Sequence, residues 1–282
     1  MKQNIGIIIL AGLFGIFASC TESEVQVRGE GETIKKAINI SDFESINMNS
    51  NIDVVFSQGN TYSVELEAQE NIMRYIDVYT IDGGLNATID KEAFVRPTKP
   101  VTLHVQMPEI RSIVNSGSGD ISCVEEGLNK VDKLSIIQNG IGNVSCNFVY
   151  AERIIVRSTN TGNVSLNGKV KDLYTTNNSS GNIKFEGNAI NTRVEISGSG
   201  DTHFSGFGTY QEIVLKGTGE YFGSEFVAQK ADVTVNGAGS AEINVVEKLN
   251  AWINGTGNIV SYGDPEIELE NHGNGSFIKA NE

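Results

Sequence analysis

The chain has 282 residues, 39% of them apolar, with 31 glycines and four prolines. That suits one large β domain or two small ones, with room for a sizeable core. Its 21 basic and 35 acidic residues give a net charge of −14, which makes nucleic acid and anionic lipid surfaces poor partners.

The first 19 residues read as a signal peptide. Lys2 supplies a positive start, and Ile5 to Phe17 form an apolar run. That run is too short to span a bilayer, which takes roughly 20 residues. Phe17-Ala18-Ser19-Cys20 closes it and resembles a bacterial lipobox, in which Cys20 becomes the lipidated first residue. The competing reading is an ordinary cleaved signal with an incidental cysteine. Residues 20–37 are polar and acidic at first, and read as a flexible tether. The folded domain is expected over 38–282.

Residues 38–110 are β-rich. Ile46 to Phe56 alternates apolar and polar residues and predicts one strand. Tyr62 to Glu67 predicts another. Ile76–Ile81 and Leu85–Ile89, joined by Asp82-Gly83-Gly84, predict a hairpin, because glycine reaches positive φ cheaply. Val101 to Met107 is a further strand, ended by Pro108. The block is placed to cap the open end of a repeat region that begins at residue 111, and to supply its first irregular rungs.

From residue 111 to 278 a glycine turn recurs: S-G-S-G-D-I from Ser116, N-G-I-G-N-V from Asn139, N-G-T-G-N-I from Asn254. One glycine is present in every copy: Gly119, Gly142, Gly162, Gly181, Gly200, Gly219, Gly239, Gly257 and Gly275. The steps are 23, 20, 19, 19, 19, 20, 18 and 18 residues. A period near 20, with apolar residues two after and six before each glycine, predicts an all-β fold. The expected architecture is a right-handed parallel β-helix, each rung a strand, a glycine turn and a second strand. The turn glycine is expected to supply φ > 0 and to leave room for stacking. The next residue is Asp120, Asn143, Asn163, Asn182, Asp201, Glu220, Ser240, Asn258 or Ser276. Such side chains satisfy corner backbone groups and can ladder up the stack.

One column is irregular. Four positions before the glycine stand Asn115, Gln138, Ser158 and Asn177, then Ile196, Leu215, Val235 and Ile253. Either the early rungs are shifted by one residue, or a polar ladder runs inside the coil. Cys123 and Cys146 both come four residues after a turn glycine, which puts them on neighbouring rungs about 4.8 Å apart. A disulfide and a free buried stack are both open, with the free stack preferred.

Catalytic and metal motifs are absent from the sequence. Gly-Ser-Gly-Asp at Gly117 and Gly198 echoes calcium β-rolls, but aspartate falls on two non-adjacent rungs, too few for an oxygen cage. His104, His203 and His272 are scattered and read as surface or turn residues. The outward columns five before and three after the glycine pair no carboxylates on adjacent rungs. No cofactor is expected. Exposed aromatics are the candidate partner-binding surface: Trp252, the only tryptophan, with Tyr150, Tyr174, Tyr210 and Tyr262 near rung returns.

The signal, the irregular β start and the repeats resemble the putative auto-transporter adhesin, head GIN domain family. Gly142-Asn143-Val144, Gly162-Asn163-Val164, Gly181-Asn182-Ile183 and Gly257-Asn258-Ile259 carry the likeness, over roughly residues 38–278. The resemblance implies a right-handed β-helix and an adhesin-like surface protein, and it supplies no catalytic residues. The expected function is that of a non-catalytic lipoprotein of the cell envelope. It is anchored by lipid on the outer membrane and presents a repetitive face to glycan, host or envelope partners. A β-helix polysaccharide lyase or hydrolase and a self-stacking homo-oligomeric scaffold are the alternatives.

Overall fold

The structure, a computed structural model, describes residues 26–90, 93–124 and 127–280. The signal segment and Cys20 lie outside these residues. The strands run in chain order. β1 (Thr33–Ile38), β2 (Ser45–Met48), β3 (Asp53–Gln58), β4 (Ser63–Gln69), β5 (Ile76–Ile81), β6 (Gly84–Ile89) and β7 (Thr102–Met107) build the N-terminal end. β8 (Ser112–Asn115), β9 (Ile121–Cys123) and β10 (Leu128–Gln138) start the regular coil. Six long strands come next: β11 (Val144–Ser158), β12 (Val164–Asn177), β13 (Ile183–Ile196), β14 (Thr202–Leu215), β15 (Tyr221–Val235) and β16 (Ala241–Ile253). β17 (Ile259–Tyr262), β18 (Glu266–Asn271) and β19 (Phe277–Lys279) close the chain. The fold is a β-solenoid of about nine turns with rungs of about 19 residues.

The glycine period sets the register. Ile121 stands opposite Val144, Val144 opposite Val164, Val164 opposite Ile183, and so on to Ile259 opposite Phe277. These partners repeat the steps between turn glycines. Each long strand covers two faces. In β12 the inward residues are Val164, Leu166 and Val170, then Leu173, Thr175 and Asn177, so the alternation slips once at a corner. Gly168, Gly187 and Gly206 stack just before that slip, with φ of 147°, 144° and 122°. The first face continues from β11 through β9, β3 and β7, and the second through β10, β8, β2 and β6.

The N-terminal block caps the coil by reversing direction. β4 runs antiparallel to β7, and β1 antiparallel to β4, ending the first face. The predicted hairpin β5–β6 ends the second. Edge strand β1 carries Lys35 and Lys36, charges that discourage further pairing. Two expectations change here. Ile46 to Phe56 is two strands, β2 and β3, broken by a turn at 49–52 that lies beneath the first glycine turn. Ile52 takes the glycine position, since the strands below β2 and β3, β6 and β7, are not joined by a turn of this kind. The tether is also shorter than 20–37. The Gly29 amide donates to the Arg96 carbonyl at 2.8 Å, Gln69 Nε2 to the Gly31 carbonyl at 3.0 Å, and Thr33–Ile38 is β1.

The turn glycines are required by stacking, not by φ. None of the nine lies in the left-handed region. A Cβ on any of them would stand 1.9–2.3 Å from the backbone oxygen one rung below. The residue after each glycine forms the expected ladder. The Asp120 amide donates to Asp53 Oδ1, Asn143 to Asp120, Asn163 to Asn143, Asn182 to Asn163, Asp201 to Asn182 and Glu220 to Asp201, all at 2.7–3.1 Å. It resumes from Ser240 through Asn258 to Ser276.

The irregular column is in register, so the shifted alternative falls. Gln138 stands between Asn115 and Ser158, and Asn177 between Ser158 and Ile196. All four polar residues are buried. They do not form an amide ladder; Asn115, Gln138 and Asn177 bond corner backbone from inside, and Ser158 Oγ donates to Ser179 Oγ at 3.0 Å. Asn115 Nδ2 donates to the Gly119 carbonyl at 3.0 Å, and Asn115 Oδ1 accepts from the Gly117 amide at 3.2 Å. Asn177 does the same for Gly181 and Ser179. Elsewhere the core is largely apolar. Phe185, Phe204, Phe226 and Tyr221 form a ring cluster with centroids 5.3–6.3 Å apart. Burial pushes the Tyr221 hydroxyl pKa up, and Gln211 Nε2 donates to it at 2.8 Å.

Candidate ligand-binding groove

A groove of about 500 Å³ lies outside on the first face, lined by residues of β13, β14, β15 and β16. Its floor is a pair of rings. His203 and Phe222 stand opposite each other on neighbouring rungs, with centroids 4.6 Å apart and planes 12° apart. Both are half-buried and each covers one face of the other, so ring edges and the two outer ring faces are what the pair can offer a ligand.

A bulge makes the wall. From His203 to Gly206 in β14 is three steps, but the facing stretch of β15, Phe222 to Phe226, takes four. The extra residue bends the strand outward. Phe226 turns into the ring cluster, while Glu225 is left exposed. Asn244 Nδ2 donates to the Ser224 carbonyl at 3.1 Å and holds the bulge. Gly223 allows the bend, because a Cβ there would stand 2.4 Å from the buried Tyr221 ring.

Polar groups rim the rings: Lys184, Glu186, Ser205, Ser224, Glu225 and Glu242. Lys184 Nζ lies 2.5 Å from Glu186 Oε1, and Asn167 Nδ2 donates to Glu186 Oε2 at 3.4 Å. The lysine hydrogen bond holds the Glu186 carboxyl below the usual range. Glu186 is therefore a fixed, ionised acceptor. The arrangement offers a stacked aromatic pair with acceptors and donors around it. Among the described residues no group of three or more His, Cys, Asp and Glu is placed to hold a metal ion.

The predicted aromatics do not gather into one site. Tyr174, Tyr210 and Trp252 face outward on the second face, but on different rungs and not in one column. Tyr174 is exposed and Trp252 half-buried. Tyr210 donates its hydroxyl to Asp232 Oδ2 at 2.5 Å, and burial pushes its pKa up. Tyr150 sits at the second corner beside Ile190 and Phe207, and Tyr262 on the first face opposite Asn244. Sequence reasoning does not find the His203–Phe222 groove. It treats the three histidines as scattered, although His203 and Phe222 fall in one outward column. The bulge shows in sequence only as a step of 20 residues between Gly219 and Gly239, where the three preceding steps are 19.

Cys123 and Cys146 are free thiols. The Asn147 amide donates to Cys123 Sγ at 2.8 Å. The Cys146 thiol also donates to Cys123, which brings the Cys123 pKa down to about 7 and raises that of buried Cys146.

Several crystal structures share the fold. A protein named putative adhesin from Parabacteroides distasonis has a TM-score of 0.67 at 18% identity, over 90% of this chain and 100% of its own. A second from that organism, named putative lipid binding protein, has a TM-score of 0.63 at 21% identity, over 91% and 100%. A putative adhesin from Parabacteroides merdae has a TM-score of 0.59 at 23% identity, over 90% and 99%. Such identities establish a common fold only. Among curated proteins no sequence matches. The family profile described as putative auto-transporter adhesin, head GIN domain, matches residues 42–191 and 172–265. These overlapping matches cover more than half of the sequence, and the chain belongs to that family.

Proposed function

We propose that the chain is a non-catalytic, adhesin-like protein of the cell envelope that binds glycan in the first-face groove. The observation that carries this is the stacked His203–Phe222 pair at the floor of a groove rimmed by polar groups. A sugar ring has an apolar C–H face and an equatorial belt of hydroxyls. The outer face of a ring such as Phe222 suits the C–H face, and Glu186, Glu225, Glu242, Ser205 and Ser224 suit the belt. The family supports an envelope location. Lipid attachment at Cys20 would hold the coil at the outer membrane, and Cys20→Ala should abolish fatty-acid incorporation in cells.

The test is binding of the purified chain to a glycan array, followed by calorimetry on the best neutral glycan. Phe222→Ala should weaken that glycan about fivefold to tenfold, the worth of an aromatic contact. An array without hits, or a Phe222→Ala variant with full affinity, would rule the groove out as the glycan site. Release of new reducing ends from a bound glycan would instead make the protein a hydrolase or lyase.

A further inference from the structure

The second face carries a cationic patch that runs against the charge of the whole molecule. Arg153, Arg157 and Arg193 surround Tyr174 in a groove of about 320 Å³. The register places them. Ile155, Tyr174 and Arg193 form one outward column on three successive rungs, and Arg157 and Thr176 stand in the next column. Rungs about 4.8 Å apart and alternate residues about 6.6 Å apart make Arg157 and Tyr174 diagonal neighbours, within reach of a long side chain.

The charges divide unequally. Arg153 donates to Asp172 at 3.1 Å and lies over the Tyr174 ring, 5.7 Å from its centroid. Arg193 donates to Glu212 at 3.0 Å, and Lys216 holds Glu195 at 2.6 Å. Four cations thus meet three carboxylates. The charge left over is that of Arg157, which is exposed and has no ion pair or hydrogen bond among the described residues. Tyr174 is 37% exposed beside it.

We propose that this groove binds an acidic sugar, a glycan residue bearing carboxylate or sulfate, with its ring on Tyr174 and its anionic group on Arg157. A planar guanidinium holds either anion through two parallel N–H donors. The Thr176 hydroxyl and the free N–H groups of Arg193 lie in reach of the ring substituents. A neutral sugar makes no use of the unpaired cation. The net charge of −14 does not forbid the contact, since at physiological salt charges beyond about 8 Å are largely screened. The site lies on a different face from the His203–Phe222 groove and stands whether or not that groove binds glycan.

The test is calorimetry of the purified full chain with polygalacturonate, dextran sulfate and dextran. At least one acidic polymer should bind and dextran should not. Binding of polygalacturonate alone would assign the carboxylate, and of dextran sulfate alone the sulfate. Arg157→Gln should weaken binding about tenfold or more, the worth of a charged hydrogen bond. Arg157→Lys, which keeps the charge but loses the fork, should fall between. Lys230→Gln removes an equal charge elsewhere on the face and should leave affinity unchanged. Failure of both acidic polymers to bind, equal binding of dextran, or equal effects of Arg157→Gln and Lys230→Gln would overturn the proposal.

Discussion

Gly200→Ala tests why a glycine stands at every corner. If the cause were backbone conformation, alanine would cost about 1 kcal/mol wherever φ is positive, and almost nothing at Gly200. The structure says the reverse. Gly200 is not in the left-handed region, but a Cβ on it would stand 2.1 Å from the Gly181 oxygen and 2.8 Å from the Gly181 carbonyl carbon. Those atoms are backbone and cannot swing away. Carbon and oxygen need roughly 3.2 Å or more, so the rungs must part by about 1 Å at the corner. That stretch falls on the Gly200 amide bond to the Ser179 carbonyl at 2.9 Å, the Ser199 amide bond to the same oxygen at 3.1 Å, and the Asp201 rung of the ladder at 2.9 Å. Three weakened bonds at about 1 kcal/mol each give a loss of about 3 kcal/mol.

Gly83→Ala is the control. Gly83 has φ of 72° in the β5–β6 turn, with nothing within 4 Å of its Cβ position, so alanine there costs only the backbone strain of about 1 kcal/mol. Urea unfolding followed by circular dichroism measures both. A Gly200→Ala loss no larger than that of Gly83→Ala would refute the steric account and return the corner to φ.

The ladder and the thiol pair give two more outcomes. Asn182→Ala removes the acceptor of the Asp201 amide and should cost about 1 kcal/mol in urea unfolding, whereas Asn182→Asp keeps an acceptor and should cost less. Equal losses would mean that the ladder bond is not what stabilises the corner. In the folded chain Cys123 should react with iodoacetamide before buried Cys146, because the thiolate is the nucleophile and its pKa is brought down to about 7. The rate should climb as pH rises through 7 and fall below it; a midpoint near an ordinary thiol value would show that the Cys146 hydrogen bond does not form.

Much of the fold is legible in the sequence because a solenoid repeats its packing problem. The glycine steps give the strand register, since each rung must align its corner with the one below. The residue after the glycine gives the side-chain ladder. What stays hidden is whatever involves a single rung. Ile52 conceals the first turn because the clash that forces glycine needs the backbone of a like turn underneath, and β6 and β7 below it are not joined by one. Asn115 and Asn177 look like members of a side-chain stack, yet each bonds corner backbone of its own rung and of the next, a choice set by side-chain reach rather than by period. The second glycine column, Gly168, Gly187 and Gly206, is present in the sequence at steps of 19 and comes just before the slip that lets one strand serve two faces.

The same contrast separates scaffold from candidate site. Columns that repeat, such as the turn glycines and the Asn–Asp ladder, are explained by stacking alone and leave nothing over for a ligand. The features that stacking does not require are those that occur once. The β15 bulge breaks the register on both sides of one rung; it turns Phe226 into the core and leaves Glu225 exposed at the groove. Arg157 stands unpaired in a face where Arg153, Arg193 and Lys216 each have a carboxylate. A coil that needs only to stack has no use for either departure. Both lie on outward faces beside an accessible aromatic ring, which is where a protein that recognises glycan would place them.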